Sequence, residues 1–414
     1  MKKMIYFTGQ VDSPFLTNEI SKFVNEFDEV MVIAYDGDKT ICDKIAEEYK
    51  FKYHFVKDIR IGLGFLSKLR SIKKNNFVKD EFKKVKLSKS RVFKKKLYLY
   101  YYCIYLLKVD KYLRNYMNDD NCEYYLYSFW LSRPAFAVSY ISNKYKNVVR
   151  GVSRTHRYDL YEEENDLNYL PFRKYICENI DTIYFSSIDT VTYFDNKNYS
   201  IKKPSYKLSY LGTKDYGRKK EKSTDSIVIA SCSYIIKRKR LDLIISLVSE
   251  ISKLHSVKWI HIGNGEDEQK MIELANEKLE NVDYQFLGKM SDEEIYDNYK
   301  KYNVDFFVNL SDSEGIPVSI LEAMSMGIPV IARNVGGISD AIDDECGILI
   351  KNDANSLDVL KDVAKKIVCI FDDNNEYQKY SNAIYDKWFV KFNSDKNIEK
   401  VAKDIISNDV INQL

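Results

Sequence analysis

Two glutamates late in the sequence, Glu314 and Glu322, are spaced in a way that could do chemistry. They follow the apolar run Val304–Leu310, which is typical of a buried strand in a parallel sheet. Glu314 then falls in a loop, and Glu322 falls inside the predicted short helix Val318–Met326. Such a loop stands at the carboxyl end of its strand, where open α/β sheets bind ligands. The two carboxylates could therefore form a catalytic pair or accept hydrogen bonds from the hydroxyls of a ligand.

The residues around this pair predict how it is held. Pro317 stands at the predicted start of the helix, where no amide hydrogen is needed. Gly327 and Pro329 end the helix, and Val330–Ala332 is predicted as the next buried strand. Gly336-Gly337 then opens a further loop before another short helix, whose N-terminus would attract phosphate. The segment is thus predicted to be a β-α-β unit with a ligand-binding loop.

Three other loops place candidate residues after predicted strands. His156 lies in the first of them, although a single histidine is more often structural than functional. Lys239 and Arg240 lie in the second, where a basic surface cluster is the alternative interpretation. The third contains Gly263 and Gly265 and precedes a predicted helix, so its backbone could approach a ligand. On its own, a Gly-x-Gly pattern is weak support for a site.

Composition narrows the class of protein. The chain has 414 residues, 45% of them hydrophobic, which predicts two domains with full cores. Its 64 basic and 61 acidic residues nearly balance. The seven cysteines are scattered without a Cys-x-x-Cys pair, which favours reduced thiols and a cytoplasmic location. Clustered metal ligands are lacking in the sequence, and neither a signal peptide nor a transmembrane helix is expected.

Strands and helices alternate twice along the chain, which predicts two doubly wound α/β domains. The first alternation opens with the strand Met4–Phe7, and the second opens with Ser226–Ser231. Between them, the charged stretch Gly212–Asp225 is the predicted linker. We therefore predict an N-terminal domain over 1–211 and a C-terminal domain over 212–387. A final helix, about 388–414, is predicted to complete the first domain.

A basic segment, Lys68–Lys96, breaks the overall balance of charge. It holds thirteen basic residues and only two acids, and a run rich in Tyr and Leu follows it. One interpretation is a solvated loop before a buried helix. A second is a surface that binds anionic lipid headgroups on the cytoplasmic face of a membrane. A nucleic-acid surface is a third, but no nucleic-acid-binding motif accompanies it and no nucleic-acid partner is expected.

Two segments resemble a known family. The stretch Leu310–Ala341, LSDSEGIPVSILEAMSMGIPVIARNVGGISDA, resembles the E-x7-E region of retaining glycosyltransferases of family 4, which have the GT-B fold. The segment SRTHRYDLYEEE is similar to the Arg-x-His-x-x-Asp-Leu-Tyr segment of bacterial polysaccharide members. Its matching residues are Arg154, His156, Asp159 and Tyr161. The resemblance covers nearly the whole chain and implies two Rossmann-like domains that face a central cleft.

The chain departs from the family pattern at two places. The family usually has a glycine-rich loop before the first helix, whereas this chain has Gln10-Val11-Asp12-Ser13 after Gly9. The phosphate-binding lysine is matched by Lys239, but the family arginine six residues earlier is replaced by Ser233, which is itself a candidate donor-binding residue. Arg240 is the second candidate for a phosphate contact.

The resemblance implies roles for the matching residues. Glu314 would lie near the hydroxyls of the donor sugar, and the backbone amides of Gly315 and Ile316 would meet the sugar or the phosphate. Glu322 would accept from the ribose hydroxyls, where a buried carboxylate makes strong bonds. Lys239 would neutralise the diphosphate of the leaving group.

Further roles follow in the same way. The backbone at Lys289 and Met290 would meet the base, and Gly263 and Gly265 would line the donor. His156 would stabilise the reacting sugar. The acceptor side or its support would include Arg154, Asp159 and Tyr161 and, in the first loop, Gly9 and Ser13. The family is metal-independent, so neither a metal nor a cofactor is expected beyond the sugar nucleotide.

The expected activity is retaining transfer of a hexose from a UDP- or GDP-sugar to a lipid-linked saccharide in bacterial surface polysaccharide assembly. Two alternatives stay open. One is another GT-B enzyme, such as a sugar-nucleotide epimerase. The other is a catalytically silent relative that binds saccharide or serves as a scaffold. The sugar, the base, the linkage and the oligomeric state do not follow from the sequence.

Overall fold

The computed structural model describes residues 1–56, 72, 74–88, 90–218, 221–223, 225–350 and 355–407. The chain divides into two compact units. The first comprises Met1–Ser209 together with the chain from Asp395 onward, and the second comprises Tyr210–Ser394. The chain thus returns to the first unit at Asp395, whereas the sequence placed that return at about 388, inside the helix Asn374–Lys391.

Within its described residues, the first unit has a parallel sheet of seven strands in the order β3-β2-β1-β4-β5-β6-β7. The strands are β1 Lys2–Phe7, β2 Glu29–Ala34, β3 Lys52–Phe55, β4 Glu123–Ser128, β5 Val148–Arg154, β6 Thr182–Phe185 and β7 Ser205–Leu208. Its helices are Pro14–Glu26, Lys39–Tyr49, Asn76–Leu87, Val92–Tyr116, Arg133–Lys144, Arg157–Leu160, Arg173–Asn179, Ile188–Lys197 and Ser394–Ser407. The strand order reverses between β1 and β4, so the loops that follow these two strands diverge and leave a crevice.

The described part of the second unit has a parallel sheet in the order β10-β9-β8-β11-β12-β13. The strands are β8 Ile227–Cys232, β9 Val257–Ile262, β10 Asp283–Phe286, β11 Phe306–Asn309, β12 Val330–Arg333 and β13 Gly347–Ile350. Its helices are Leu241–Ser252, Glu268–Lys278, Asp292–Lys301, Val318–Ser325, Ile338–Ala341, Leu357–Asp372 and Asn374–Lys391. Here the order reverses between β8 and β11, and the loops after these strands contain Lys239 and Glu314.

Apolar runs build both sheets. All four residues of β11 are buried, as are those of β12, which agrees with the predicted β-α-β unit. The predicted helix after Glu314 is confirmed over Val318–Ser325, with Pro317 as its N-cap. Both sheets are parallel and doubly wound, so the predicted Rossmann-like architecture is confirmed.

The last described helix, Ser394–Ser407, is amphipathic and packs against the first unit. Its apolar residues Ile398, Val401 and Ile405 are buried with the core under β1 and β4. Asp404 on the same helix is 3% exposed and accepts hydrogen bonds from Tyr184 and Lys207. The buried carboxylate thus compensates a buried lysine, and the helix is fixed by charge as well as by apolar contacts.

The basic segment differs from the predicted loop. Much of it is helical, because Asn76–Leu87 forms a helix and Val92–Tyr116 begins shortly after it. The cations Lys68, Arg70, Lys73 and Lys89 lie outside the described residues. Within the residues that the structure describes, no helix is long and apolar enough to span a bilayer.

Candidate active site

An ion pair joins the two loops at the point where the strand order of the second unit reverses. Lys239 Nζ lies 2.5 Å from Glu314 Oε1, and the two side chains are only 14% and 10% exposed. The sequence separated these residues by a long stretch, and the fold brings them together. A cation and a carboxylate that pair in a crevice can exchange this contact for contacts with an anionic, hydroxyl-bearing ligand.

The lysine loop is tied to the glutamate loop through its neighbours. Arg238 accepts at its carbonyl from the amide of Asp312, over 2.9 Å. The carboxylate of Asp312 in turn pairs with Arg240 at 3.1 Å and with Arg333. Burial opposes ionisation of Asp312, but Arg333 and Arg240 outweigh it and lower the pKa of that carboxyl. These contacts hold the two loops at a fixed separation.

Arg240, the second candidate for a phosphate contact, is therefore already engaged. Its guanidinium pairs with Asp242 at 3.0 Å as well as with Asp312. Its backbone is left-handed, with φ of +51°, at the turn between Lys237–Lys239 and the following helix. A role for Arg240 in donor binding stays a prediction. Its ion pairs also give it a structural role.

The glutamate loop leaves space on one side. A Cβ added at Gly315 would meet nothing within 4 Å, so a ligand could approach this backbone closely. The opposite side is closed by Gly336, where φ is +54° and a Cβ would lie 1.9 Å from the carbonyl oxygen of Glu314. Gly336 is thus required for the loops to pack, which leaves Gly315 and Ile316 as the candidates for ligand contact.

The Gly263-Asn264-Gly265 loop has a structural role that the pattern did not predict, and its contact with the donor stays a prediction. A Cβ at Gly263 would lie 1.9 Å from the carbonyl oxygen of Ser233, and one at Gly265 would lie 2.2 Å from that of Ile235. These glycines therefore let the chain's own backbone pass closely. The Ser233 amide donates to Ile262 across the same contact, over 3.0 Å. The loop supports the start of the lysine loop.

Glu322 is a buried carboxylate beside this crevice. It is 4% exposed within the helix Val318–Ser325, and burial, with a smaller contribution from Asp292, raises the pKa of its carboxyl to about 7. Among the described residues, no side chain or amide donates a hydrogen bond to this carboxylate. Tyr296, Tyr299 and Cys232 lie close enough for its charge to raise their pKa values further, after burial. A ligand with two hydroxyls would supply the donors that Glu322 lacks.

The predicted base-contacting residues flank a capped helix. Lys289 is exposed, and Met290 Sδ accepts from Asn298 Nδ2 over 3.3 Å. The next residue, Ser291, caps the helix Asp292–Lys301 through a reciprocal pair with Glu294. The loop with Lys289 and Met290 therefore enters the helix at a fixed angle.

This cap gives a test of local stability. Ser291→Ala should lower the free energy of unfolding by about 1 kcal/mol, because the amide of Glu294 would lose its acceptor. Urea unfolding followed by circular dichroism measures the change. Ser291→Thr keeps the hydroxyl and should retain most of the stability. Equal losses in the two variants would show that the cap does not stabilise the helix.

In the first unit, His156 lies at the end of β5 against two aromatic rings. Its ring centroid is 4.4 Å from that of Phe129 and 4.5 Å from that of Trp130. Both ring nitrogens are buried without a hydrogen-bond partner in the described structure. Burial, and then the charge of Arg154, lower the pKa of the imidazole to about 3. His156 is therefore neutral near pH 7, and any contact of its nitrogens with a ligand hydroxyl stays a prediction.

Most of the residues around His156 that match the family hold the loop of this histidine in place. The Asp159 carboxylate accepts from the backbone amides of His156 and Leu131, each over 2.6 Å. Arg154 is buried and pairs with Glu19 at 3.3 Å inside the unit. Tyr161 donates to Asp189 over 2.9 Å. These contacts position the histidine loop, and any contact of these residues with an acceptor stays a prediction.

A cavity of about 350 Å³ opens beside this loop at the reversal of the first sheet. Its lining includes the predicted Gly9 and Ser13, together with Thr8, Gln10, Tyr35, Asp36, Phe129 and Trp130. Trp130 was not predicted from the sequence, although its position shortly after β4 was a usable signal. An aromatic ring beside amide and carboxylate groups suits a saccharide, because sugars present apolar faces and hydroxyls.

The two groups of residues belong to different units: Lys239, Glu314 and Glu322 lie in the second, and His156 and the aromatic cavity lie in the first. Among the described residues, no group of three His, Cys, Asp or Glu side chains is arranged to hold a metal ion.

Comparisons with known proteins bear on the second unit most directly. Residues 213–387 match the family model described as "Glycosyl transferases group 1". The O-antigen biosynthesis glycosyltransferase WclY of Escherichia coli is 30% identical over 137 residues. That alignment spans 33% of this chain and 37% of the relative, so it covers well under half of either protein.

Solved structures resemble the whole chain at low identity. The lipopolysaccharide outer core galactosyltransferase WaaB, in its apo form, has a TM-score of 0.64 at 14% identity, over 99% of each chain. The Anabaena protein Alr3699/HepE, in complex with UDP and glucose, has a TM-score of 0.58 at 14% identity, over 98% of this chain and 99% of its own. The predicted GT-B fold is confirmed.

Proposed function

We propose that the protein is a retaining glycosyltransferase of family 4, which moves a hexose from a UDP- or GDP-sugar to a lipid-linked saccharide. Its place would be bacterial surface polysaccharide assembly, in the cytoplasm or on the cytoplasmic face of the membrane. The main support is the Lys239–Glu314 pair at the reversal of the second sheet, beside the unpartnered Glu322. The match of residues 213–387 to a glycosyltransferase family supports the same proposal.

Donor binding would exchange the internal ion pair for contacts with the ligand. The Lys239 ammonium would move its charge to the diphosphate, and the Glu314 carboxylate would accept from hydroxyls of the hexose. Glu322 would accept from the ribose hydroxyls. A positive group held at the leaving diphosphate favours departure, because negative charge develops there in the transition state.

The transfer step would need no metal and no protein nucleophile. The bond from the sugar's anomeric carbon to the diphosphate oxygen breaks, and a bond to the acceptor oxygen forms on the same face. The acceptor's proton passes to the departing phosphate oxygen. His156 is neutral, so it would hold a hydroxyl of the reacting sugar rather than add a second positive charge.

A turnover assay tests this proposal. Purified protein is incubated with UDP- or GDP-sugars, with and without lipid-linked saccharide, and release of the nucleoside diphosphate and the anomeric configuration of the product are measured. We expect release of the nucleoside diphosphate to depend on the acceptor. The new glycosidic bond should have the same anomeric configuration as the bond in the donor. Donor conversion without acceptor would identify an epimerase, and nucleotide binding without any turnover would identify a silent relative.

Trp130 gives a test of the acceptor side. The sequence has three tryptophans, and Trp259 and Trp388 are fully buried, whereas Trp130 lines the cavity of the first unit. An acceptor saccharide should therefore change the emission of Trp130. Loss of the ring in Trp130→Ala should raise the KM for acceptor roughly three- to tenfold, as expected for the loss of one aromatic contact.

Trp130→Phe provides the control, because it keeps a ring and removes the indole emission. This variant should lose the acceptor-induced change in fluorescence and keep the stabilisation by donor nucleotide. An unchanged response in Trp130→Phe would place the acceptor elsewhere.

A further inference from the structure

Two large apolar side chains stand in solvent where the basic segment turns from one helix to the next. Leu87, at the end of the helix Asn76–Leu87, is 75% exposed, and Phe93, near the start of Val92–Tyr116, is 80% exposed. Both lie within a short stretch of chain, so they project from one place on the first unit. Exposed Leu and Phe side chains without a protein contact are well suited to enter the acyl boundary of a bilayer.

Cations surround this apolar pair. The exposed basic residues just before the first helix, along it and around the turn are Lys74, Lys79, Lys83, Lys84, Lys86, Arg91 and Lys94. None of them forms a salt bridge with a described residue, and the one exposed acid among them is Asp80. On the helix Leu357–Asp372, by contrast, the exposed Lys361 and Lys365 lie 3.1 and 3.3 Å from aspartates. Exposed cations without a salt-bridge partner thus surround the apolar turn.

A groove of about 500 Å³ opens beside the same turn. Arg91 and Lys94 bring two cations to it, and its walls are formed by Leu97, Tyr98, Tyr101, Asp166 and Leu167. The Arg91 guanidinium donates to the backbone carbonyl of Asp166, which fixes its position at the edge of the groove. Two cations against a single carboxylate, next to aromatic and aliphatic walls, suit a phosphate that is attached to an apolar chain.

We propose that this surface binds anionic phospholipid, with Leu87 and Phe93 inserted and a headgroup phosphate held in the groove by Arg91 and Lys94. The surrounding lysines contact neighbouring headgroups. Lipid fits this surface better than a protein partner does, because the apolar area is small and positive charge is spread widely around it. It fits better than nucleic acid, because Leu87 and Phe93 have no part in contacts to a phosphate backbone.

This surface deepens the proposed function, because a lipid-linked acceptor is presented at a membrane. Tyr158 lies on the short helix that follows His156, and it is 61% exposed. Its hydroxyl is close enough to Tyr98 and Asp166, both in the groove wall, to interact electrostatically with them. The groove and the histidine loop are therefore neighbours on the first unit, and a headgroup bound in the groove lies near the aromatic cavity.

Sedimentation with vesicles tests the proposal in the full-length protein. We expect binding to vesicles that contain phosphatidylglycerol and no binding to phosphatidylcholine alone. The triple variant Lys83→Gln, Lys86→Gln, Lys94→Gln should weaken binding at least about tenfold, because each cation near an anionic surface contributes to affinity. The double variant Leu87→Ser, Phe93→Ser should weaken vesicle binding but leave the salt dependence of that binding unchanged. The matched control, Lys361→Gln, Lys365→Gln, Lys366→Gln on an exposed helix of the second unit, should bind as wild type does.

Equal binding by the wild type and both surface variants would overturn the proposal, as would an absence of binding to phosphatidylglycerol. Displacement of the protein from vesicles by single-stranded RNA at lower concentration would assign the surface to nucleic acid instead. Transfer to a water-soluble acceptor analogue separates the two proposals. If vesicles bind but no sugar is transferred, the proposed function fails and the membrane surface stands. If transfer proceeds without vesicle binding, the surface proposal alone fails.

Discussion

Lys239→Met is expected to lower kcat for sugar transfer roughly 100- to 1,000-fold, the range seen when one preorganised electrostatic contact is removed from a transition state. Lys239 is the cation that the fold holds within 2.5 Å of Glu314, in a largely buried position. A methionine of similar length keeps the packing and removes the charge. The leaving diphosphate would then depart without its compensating cation, so the chemical step should slow more than donor binding weakens.

Lys237→Met is the matched control for this variant. Lys237 lies on the same short turn, Lys237–Lys239, but its side chain is exposed. We expect it to retain nearly full activity. Initial rates at saturating donor and acceptor give kcat for all three proteins. Comparable losses in the two variants would mean that net charge on the turn matters and that Lys239 has no specific contact.

Glu322→Gln is expected to weaken donor binding roughly 10- to 100-fold, because hydrogen bonds to a charged acceptor are the stronger kind. The amide keeps the shape of the side chain and removes the charge. Calorimetric titration with the preferred donor measures the change in Kd. Glu345→Gln, an exposed carboxylate of the same unit, should bind as wild type does.

The same residue predicts a pH dependence. Burial raises the pKa of Glu322 from the ordinary 4.5 to about 7, so the folded protein holds this proton more tightly than the unfolded chain. Stability of the ligand-free protein should therefore fall as pH rises from about 4.5 to 7. At pH 8, Glu322→Gln should be more stable than wild type by up to about 3 kcal/mol, at 1.36 kcal/mol per pKa unit. Urea unfolding at pH 5 and pH 8 measures the difference.

Donor affinity should change in the opposite direction. The ionised carboxylate is the form that accepts two hydroxyls, so wild-type affinity should fall below pH 7, and Glu322→Gln should lack this dependence. A variant that keeps the wild-type pH profile would remove Glu322 from the donor site. A gain in stability together with a loss of binding is the pattern of a residue retained for function.

Much of the second unit could be predicted from its sequence. The strand before Glu314, the helix that contains Glu322 and the closing glycines follow from apolar runs, proline and glycine positions, which act locally. The Lys239–Glu314 contact could be anticipated only through the resemblance, because two loops far apart in sequence meet only when the strand order is known. Sequence also gave no sign that Arg240 is held by Asp312 and Asp242, since ion pairing depends on geometry across loops.

Other features could not be predicted for physical reasons. Gly263 and Gly265 match a ligand-binding pattern, and their missing side chains also make room for the backbone at Ser233 and Ile235, which the pattern did not predict. A glycine permits another group to approach the backbone closely, but it does not indicate whether that group is a ligand or the protein's own chain. Trp130 was not singled out, because one aromatic residue after a strand is more often core. Its place in a cavity depends on the loops of two strands that are distant in sequence but adjacent in the sheet.

The proposal that the crevice of the second unit binds a sugar nucleotide is tested most directly by measuring that binding. UDP-, GDP- and ADP-sugars are screened by thermal shift against wild type and Glu322→Gln at pH 8, where a ligand that binds the folded state raises Tm by an amount set by its Kd. We expect one class of donor to raise the Tm of wild type and to raise that of Glu322→Gln much less. A wild-type protein whose Tm is unmoved by every donor, or a variant that responds as wild type does, would contradict it.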